Sequence, residues 1–172
     1  GINLGPNLGI DDLLNSGTLG AALEAAIHGV PAIAVSYCKK AIGDQKADKA
    51  KITVEELDLT AHIAQKIVGY VLENGMPTDA DILSINVPEE ADCNKMRVTS
   101  LSYAGYGDIY TKEKEGYRIA RWMLADYADK NPDTDVYVVK EEGCISITPI
   151  KIRFIHSKKS VEIMLKKLKL AF

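Results

Sequence analysis

The sequence predicts an α/β protein: a three-layer, Rossmann-like, mostly parallel sheet with helices on both faces, joined to a β-rich extension and a C-terminal helix. Three observations carry this. Helical and strand-like segments alternate through the first half of the chain. The strand-like runs are continuously apolar, as in strands covered on both faces. The joints between them are short and carry Gly or Pro, as in β-α-β units.

The elements follow in order. Residues 1–15 read as loop, because four of the first nine are Gly or Pro. Residues 18–28 read as a helix with Leu19, Ala22, Leu23, Ala26 and Ile27 on one face. Gly29 and Pro31 stop it, and 32–36 form a short buried strand. Residues 37–52 are polar and read as a surface loop. Thr53 and Glu56 form a capping box that opens a helix running to about residue 73. Its apolar stripe is Leu57, Ala61, Ala64, Ile67, Val68, Val71 and Leu72. Asn74, Gly75 and Pro77 end it, and 82–87 form a second buried strand closed by Pro88. Beyond residue 95, segments 96–103, 116–122 and 134–139 read as extended. Residues 144–150 read as a strand returning to the core. Residues 157–170 read as a terminal helix with Val161, Met164, Leu165 and Leu168 inward and lysines outward.

The 172 residues suggest one domain with a substantial core. The net charge of −3 lacks the basic excess of nucleic-acid binders, so a nucleic-acid polymer is not an expected partner. No apolar run reaches bilayer-spanning length and no signal peptide opens the chain, so no membrane partner is expected either. Cys38, Cys93 and Cys144 are scattered without a C-x-x-C pair, which fits reduced thiols in a cytoplasmic protein.

Chemistry concentrates at the start. Glycines at 1, 5 and 9 alternate with Asn3 and Asn7, and Ser16, Gly17 and Thr18 follow at the head of a helix. Such a loop can bring backbone N–H groups and amide side chains to an anion. A helix N-terminus adds donors and partial positive charge. The segment reads as a phosphoester site with Gly5, Asn7, Ser16, Gly17 and Thr18 as phosphate-binding residues. The alternatives are that Asn3 and Asn7 serve turn backbone and that Ser16 is an ordinary cap. His28, His62 and His156 lack zinc spacing. The tail lysines fit a solvated face better than a substrate-attracting patch.

GINLGPNLG, then DDLLNSGTLGAALEAAIHGVPAIAVS, resembles the core signature of the SurE family of metal-dependent nucleotidases. ILSINVP (82–88) and GCISITPI (143–150) resemble that family's later blocks. The resemblance implies a SurE-like domain over residues 1–172. It implies hydrolysis of nucleoside 5′- or 3′-monophosphates, possible action on short polyphosphate, and a divalent cation, Mg²⁺ or Mn²⁺. Asn3 matches the metal-ligating asparagine, and Asn7 one near the bound phosphate. Asn7, Ser16 and Thr18 then become the catalytic residues. The implied assembly is a homo-dimer or homo-tetramer, built through the β-rich extension at about 96–142, where six of the eight tyrosines and Trp122 lie, and through the C-terminal segment.

One departure stands out. The family's metal-binding Asp pair sits in an N-D-D-G motif, and no N-D-D-G occurs here. Asp11 and Asp12 lie after the glycine loop and read as structural. The chain opens on Gly1 inside the motif, without methionine, so an N-terminal segment carrying the remaining ligands is expected upstream. Without it, an unpaired sheet edge should be exposed. If those aspartates are absent from the protein, a non-catalytic nucleotide- or phosphate-binding module becomes the alternative. A dinucleotide-dependent oxidoreductase is weaker, since G-x-G-x-x-G spacing is lacking.

Overall fold

The computed structural model describes residues 1–39, 52–92, 94–105, 110–119, 129–153 and 158–169. In chain order the elements are β1 (Ile2–Leu4), α1 (Gly9–Asn15), α2 (Gly17–Ile27), β2 (Ala32–Cys38), α3 (Val54–Asn74), β3 (Ile82–Pro88), β4 (Met96–Val98), β5 (Tyr110–Glu113), β6 (Gly116–Ile119), α4 (Asp135–Lys140), β7 (Ile145–Ile150) and α5 (Lys158–Lys167). Cys93, Tyr106, Trp122, His156 and most of the 37–52 loop lie outside the described residues.

The main sheet has the order β1-β2-β3-β7-β4. β1, β2 and β3 run parallel; β7 is antiparallel to β3 and parallel to β4. The fold is therefore the mixed, mostly parallel α/β sheet that the sequence predicts. Because side chains alternate across a strand, each strand feeds two cores. On one face, Ala32, Ala34, Ile82 and Ile150 meet Leu13 of α1 and Leu19 and Ala22 of α2. On the other, Val35, Ile85, Val87 and Ile145 meet Ile63 of α3. The Thr53–Glu56 capping box forms as read, with both reciprocal bonds present. Lys39, just past β2, ties the sheet to α3 through Glu56 at 3.0 Å and to Glu89 at 3.7 Å.

Several expectations give way. Residues 1–15 are not all loop. Gly1 O accepts from Val35 N–H at 2.9 Å, starting β1, and Gly5 N–H continues the pairing to Tyr37 O at 2.8 Å. α1 follows at once, without a side-chain cap on its N-cap residue Leu8. Residues 134–139 are helical rather than extended. Thr134 caps α4 through Tyr137 N–H, and Asp135, Val136, Val138 and Val139 are buried. Of the helix stripes, Ile27, Ala61, Val68 and Leu72 point to solvent, while Thr60 and Ile63 are the buried residues of α3. On α5, Val161, Met164 and Leu168 are half exposed rather than inward. Among the described residues of 96–142, β4 joins the main sheet, β5 and β6 form a separate hairpin, and α4 enters the core.

The edge formed by β1 is bare among the described residues, with Ile2 84% and Leu4 50% exposed. No described helix is long and apolar enough to cross a membrane. Cys38 and Cys144 are free thiols.

Candidate functional site

The backbone of the glycine loop is engaged by the protein itself. Asn7 N–H donates to Asn86 Oδ1 at 2.9 Å, Leu8 N–H to Asp12 Oδ2 at 2.8 Å, and Gly9 N–H to Asp135 Oδ2 at 2.8 Å. Ile10 N–H donates to Ser102 O at 2.8 Å, and Gly5 N–H is taken by Tyr37 O. Pro6 has no N–H. In this structure these loop N–H groups, that of Gly5 included, are turned to protein acceptors. The carboxylates of Asp12 and Asp135, both almost fully buried, occupy the place foreseen for a ligand's negative charge. Gly9 is required here. Its φ is +67°, and a Cβ would come within 3.2 Å of Ser102 O.

What remains for a ligand is side-chain amide, hydroxyl and the head of α2. Asn3 is half-buried, and its Nδ2 donates to Gly5 O at 3.1 Å, which leaves Oδ1 without a bond among the described residues. Asn7 is buried and its Nδ2 donates to Ser36 Oγ at 2.6 Å. One of that group's two hydrogens is left for another acceptor. Asn3 pairs with Ser36, and Ser36 with Asn86, in strand register. Paired residues of neighbouring strands share a face, so all three project toward the α1–α2 side, where Asn7 lies.

Ser16 is the N-cap of α2. Its Oγ accepts from Thr18 N–H at 3.2 Å and Leu19 N–H at 3.4 Å. The ordinary reading of Ser16 is thus what the geometry shows first. Capping occupies the hydroxyl's lone pairs but leaves its hydrogen, so the same group can still donate outward. Gly17 has nothing among the described residues within 4 Å of where a Cβ would stand. Thr18 packs on Gly1, whose Cβ would sit 2.9 Å from Thr18 O. No hydrogen bond joins Ser16 or Thr18 to Asn3 or Asn7 among the described residues. The two halves are tied through Asp12 instead: its carboxylate holds Leu8 N–H and its carbonyl holds Ser16 N–H at 2.8 Å. Asp12 thus takes the structural role expected of it.

Asp135 is fully buried and accepts from the N–H groups of Gly9, Ser102 and Val136 at 2.8, 2.9 and 2.9 Å. Burial pushes its carboxyl above the ordinary range, against the pull of those donors. Asp135→Asn should cost about 1–3 kcal/mol, because one buried N–H loses its acceptor. The raised folded-state pKa fixes the pH dependence. The carboxyl's contribution is complete below about pH 4 and is lost as pH rises through the folded value. The stability gap between wild type and Asp135→Asn should therefore narrow as pH rises above about 4. Denaturant unfolding at stepped pH checks this, and a gap that widens contradicts it. Cys38 lies next to this cluster, and burial pushes its thiol far up.

Asn3 offers one neutral oxygen, and no group of three or more His, Cys, Asp or Glu among the described residues could hold a metal. Hard cations need several oxygens, usually with carboxylate. These residues alone do not fit Mg²⁺ or Mn²⁺. His28 caps the end of α2 beside Glu24 at 3.1 Å, and His62 is exposed on α3.

This is an open α/β sheet with buried amides beyond its first strand and a capped helix beside it; sheets of this class bind ligands at the carboxyl ends of their strands. Residues 1–108 match the family model described as Survival protein SurE, and the chain belongs to that family. Over 161 residues it is 37% identical to the 5′-nucleotidase SurE of Thermococcus gammatolerans, covering 88% of this chain and 56% of that protein. Over 154 residues it is 38% identical to the 5′-nucleotidase SurE of Pelotomaculum thermopropionicum, covering 87% and 53%. The crystal structure of the SurE protein from Aquifex aeolicus superposes with a TM-score of 0.61 at 28% identity, over 98% of this chain and 63% of that one. The chain thus spans little more than half the length of these curated relatives.

Proposed function

We propose that the protein hydrolyses nucleoside 5′- or 3′-monophosphates to nucleoside and phosphate. Relatives named 5′-nucleotidase, 37 and 38% identical over most of this chain, support the reaction class. The observation that carries the site is the head of α2, where the Gly17 N–H, the Ser16 hydroxyl hydrogen and the Thr18 hydroxyl stand together and, among the described residues, nothing lies within 4 Å of where a Gly17 Cβ would be. Those donors, with the second amide hydrogen of Asn7, would hold the phosphoryl oxygens and meet the charge that grows as water attacks phosphorus and the nucleoside oxygen leaves. Asn3 would be one ligand of a divalent cation, whose remaining ligands the described residues do not supply. Titrating inorganic phosphate into the full-length protein should shift the amide NMR signals of Gly17 and Thr18. Shifts elsewhere, with these two unmoved, would remove the assignment.

Self-association belongs to the same proposal, with a narrower surface than 96–142. Tyr110 and Tyr117 of the hairpin are 60% and 72% exposed, and Tyr103 is 82% exposed. Val161 and Met164 of α5, with Leu168 just past its end, add exposed apolar side chains. Aromatic residues are enriched at interface cores, and an isolated two-stranded ribbon is marginal in water. Light scattering at micromolar concentration should give at least a dimer mass. A monomer mass, or a dimer leaving Tyr110 and Tyr117 in solvent, contradicts it.

A further inference from the structure

The middle strands carry polar side chains where apolar ones would pack more simply. Ser36 and Asn86 are 1% and 0% exposed, within strands that are mostly apolar. A buried carboxamide is costly unless fully bonded; Asn86 directs two bonds at Asn7, and its Oδ1 also takes the Cys38 thiol at 3.5 Å. Its Oδ1 accepts Asn7 N–H at 2.9 Å and its Nδ2 donates to Asn7 O at 3.0 Å. This is the donor–acceptor pair a neighbouring strand would present. Asn7 lies beyond the end of β1, where the ladder has stopped, so a side chain from β3 continues the pairing across 79 residues of sequence. Ser36, on the strand between, accepts the Asn7 side-chain amide at 2.6 Å.

We infer that Asn86 and Ser36 are positioning residues for Asn7: Asn86 fixes its peptide and Ser36 fixes the rotation of its carboxamide, so that its remaining amide hydrogen points at the anion site. The inference rests on the reading of Asn7 as a phosphate-facing group. It deepens that reading by locating what preorganises the loop. With its backbone donors engaged by the protein, the loop contributes to an anion site only through side chains. Their direction is then the quantity that turnover depends on. A displacement of about 1 Å in such a group can lower a rate by about a hundredfold.

The test uses the full-length protein with Asn86→Leu, Ser36→Ala and Ser36→Thr. Nucleoside monophosphate turnover is measured together with hydrogen exchange at the Asn7–Gly9 amides and at Ile85 as a core reference. Asn86→Leu and Ser36→Ala should each lower kcat by about ten- to a hundredfold with KM changed much less. Ser36→Thr, which restores the hydroxyl, should recover most of the loss. Asn86→Leu should speed exchange at Asn7 while Ile85 stays protected. If kcat stays near wild type in both deletion variants, the inference is overturned. It is also overturned if kcat falls only alongside loss of Ile85 protection. Should the wild type release no phosphate from any nucleotide, the hydrolase reading fails and the exchange arm decides the anchoring alone. Faster exchange at Asn7 with Ile85 unchanged then upholds it, and unchanged exchange overturns it.

Discussion

Asn3→Ala should lower nucleotide hydrolysis by at least about a hundredfold, beyond what the loss of a supporting group around a metal costs, while leaving the fold intact. Asn3 sits half-buried on an edge strand, and its side chain makes one bond, to Gly5 O, two residues away. Gly5 is held independently by its own N–H to Tyr37 O, so the loop keeps its course without that bond. The amide that remains unbonded, Oδ1, is the atom a cation would use. Circular dichroism and the unfolding midpoint should match wild type. Turnover within a few-fold of wild type would sink the ligand assignment, and a collapse of the midpoint would make Asn3 structural instead.

The second large effect is expected at the head of α2, where one residue has two separable roles. Ser16→Ala should cost about 1 kcal/mol as a lost cap, whereas Gly is tolerated at an N-cap within a few tenths of a kcal/mol. Ser16→Gly therefore removes the hydroxyl at little expense to the helix. It should still lower turnover by about ten- to a thousandfold, the range for a lost transition-state donor. Thr18→Ala should do the same. Turnover that survives Ser16→Gly would leave Ser16 as a cap and nothing more.

The contrast between these residues and their neighbours shows what could be read from sequence. α2, β2, α3 and β3 were legible because local signals agreed with the tertiary outcome: apolar spacing, a T-x-x-E box, Gly and Pro stops. β1 was not, since three residues rich in neither β-branched nor aromatic types become a strand only by pairing with β2. α1 lacks a capping side chain on its N-cap, and the acceptor for Leu8 N–H arrives from Asp12, one turn inside the helix. Residues 134–139 carry three valines and a tyrosine and favour a strand by propensity. They coil because Thr134 caps the turn and Asp135 is drawn in by the N–H groups of Gly9 and Ser102. The missed site residues had a signal. A lone Asn in SINVP and a lone Ser closing AIAVS place a polar group in strands buried on both faces, where one is rarely kept without a partner. Asp135 had none, because the Gly9 and Ser102 N–H groups that draw it in lie 126 and 33 residues away.

The central claim is that the Gly/Asn loop and the Ser-Gly-Thr helix head form the phosphoester site of a nucleotidase. The most direct measurement is phosphate release by the full-length protein from a panel of nucleoside 5′- and 3′-monophosphates and tripolyphosphate, with Mg²⁺, with Mn²⁺ and with chelator. The account predicts release from nucleoside monophosphates that needs the added ion and that Thr18→Ala reduces by at least about tenfold. No release from any nucleotide with either ion, or release that Thr18→Ala leaves unchanged, would contradict it.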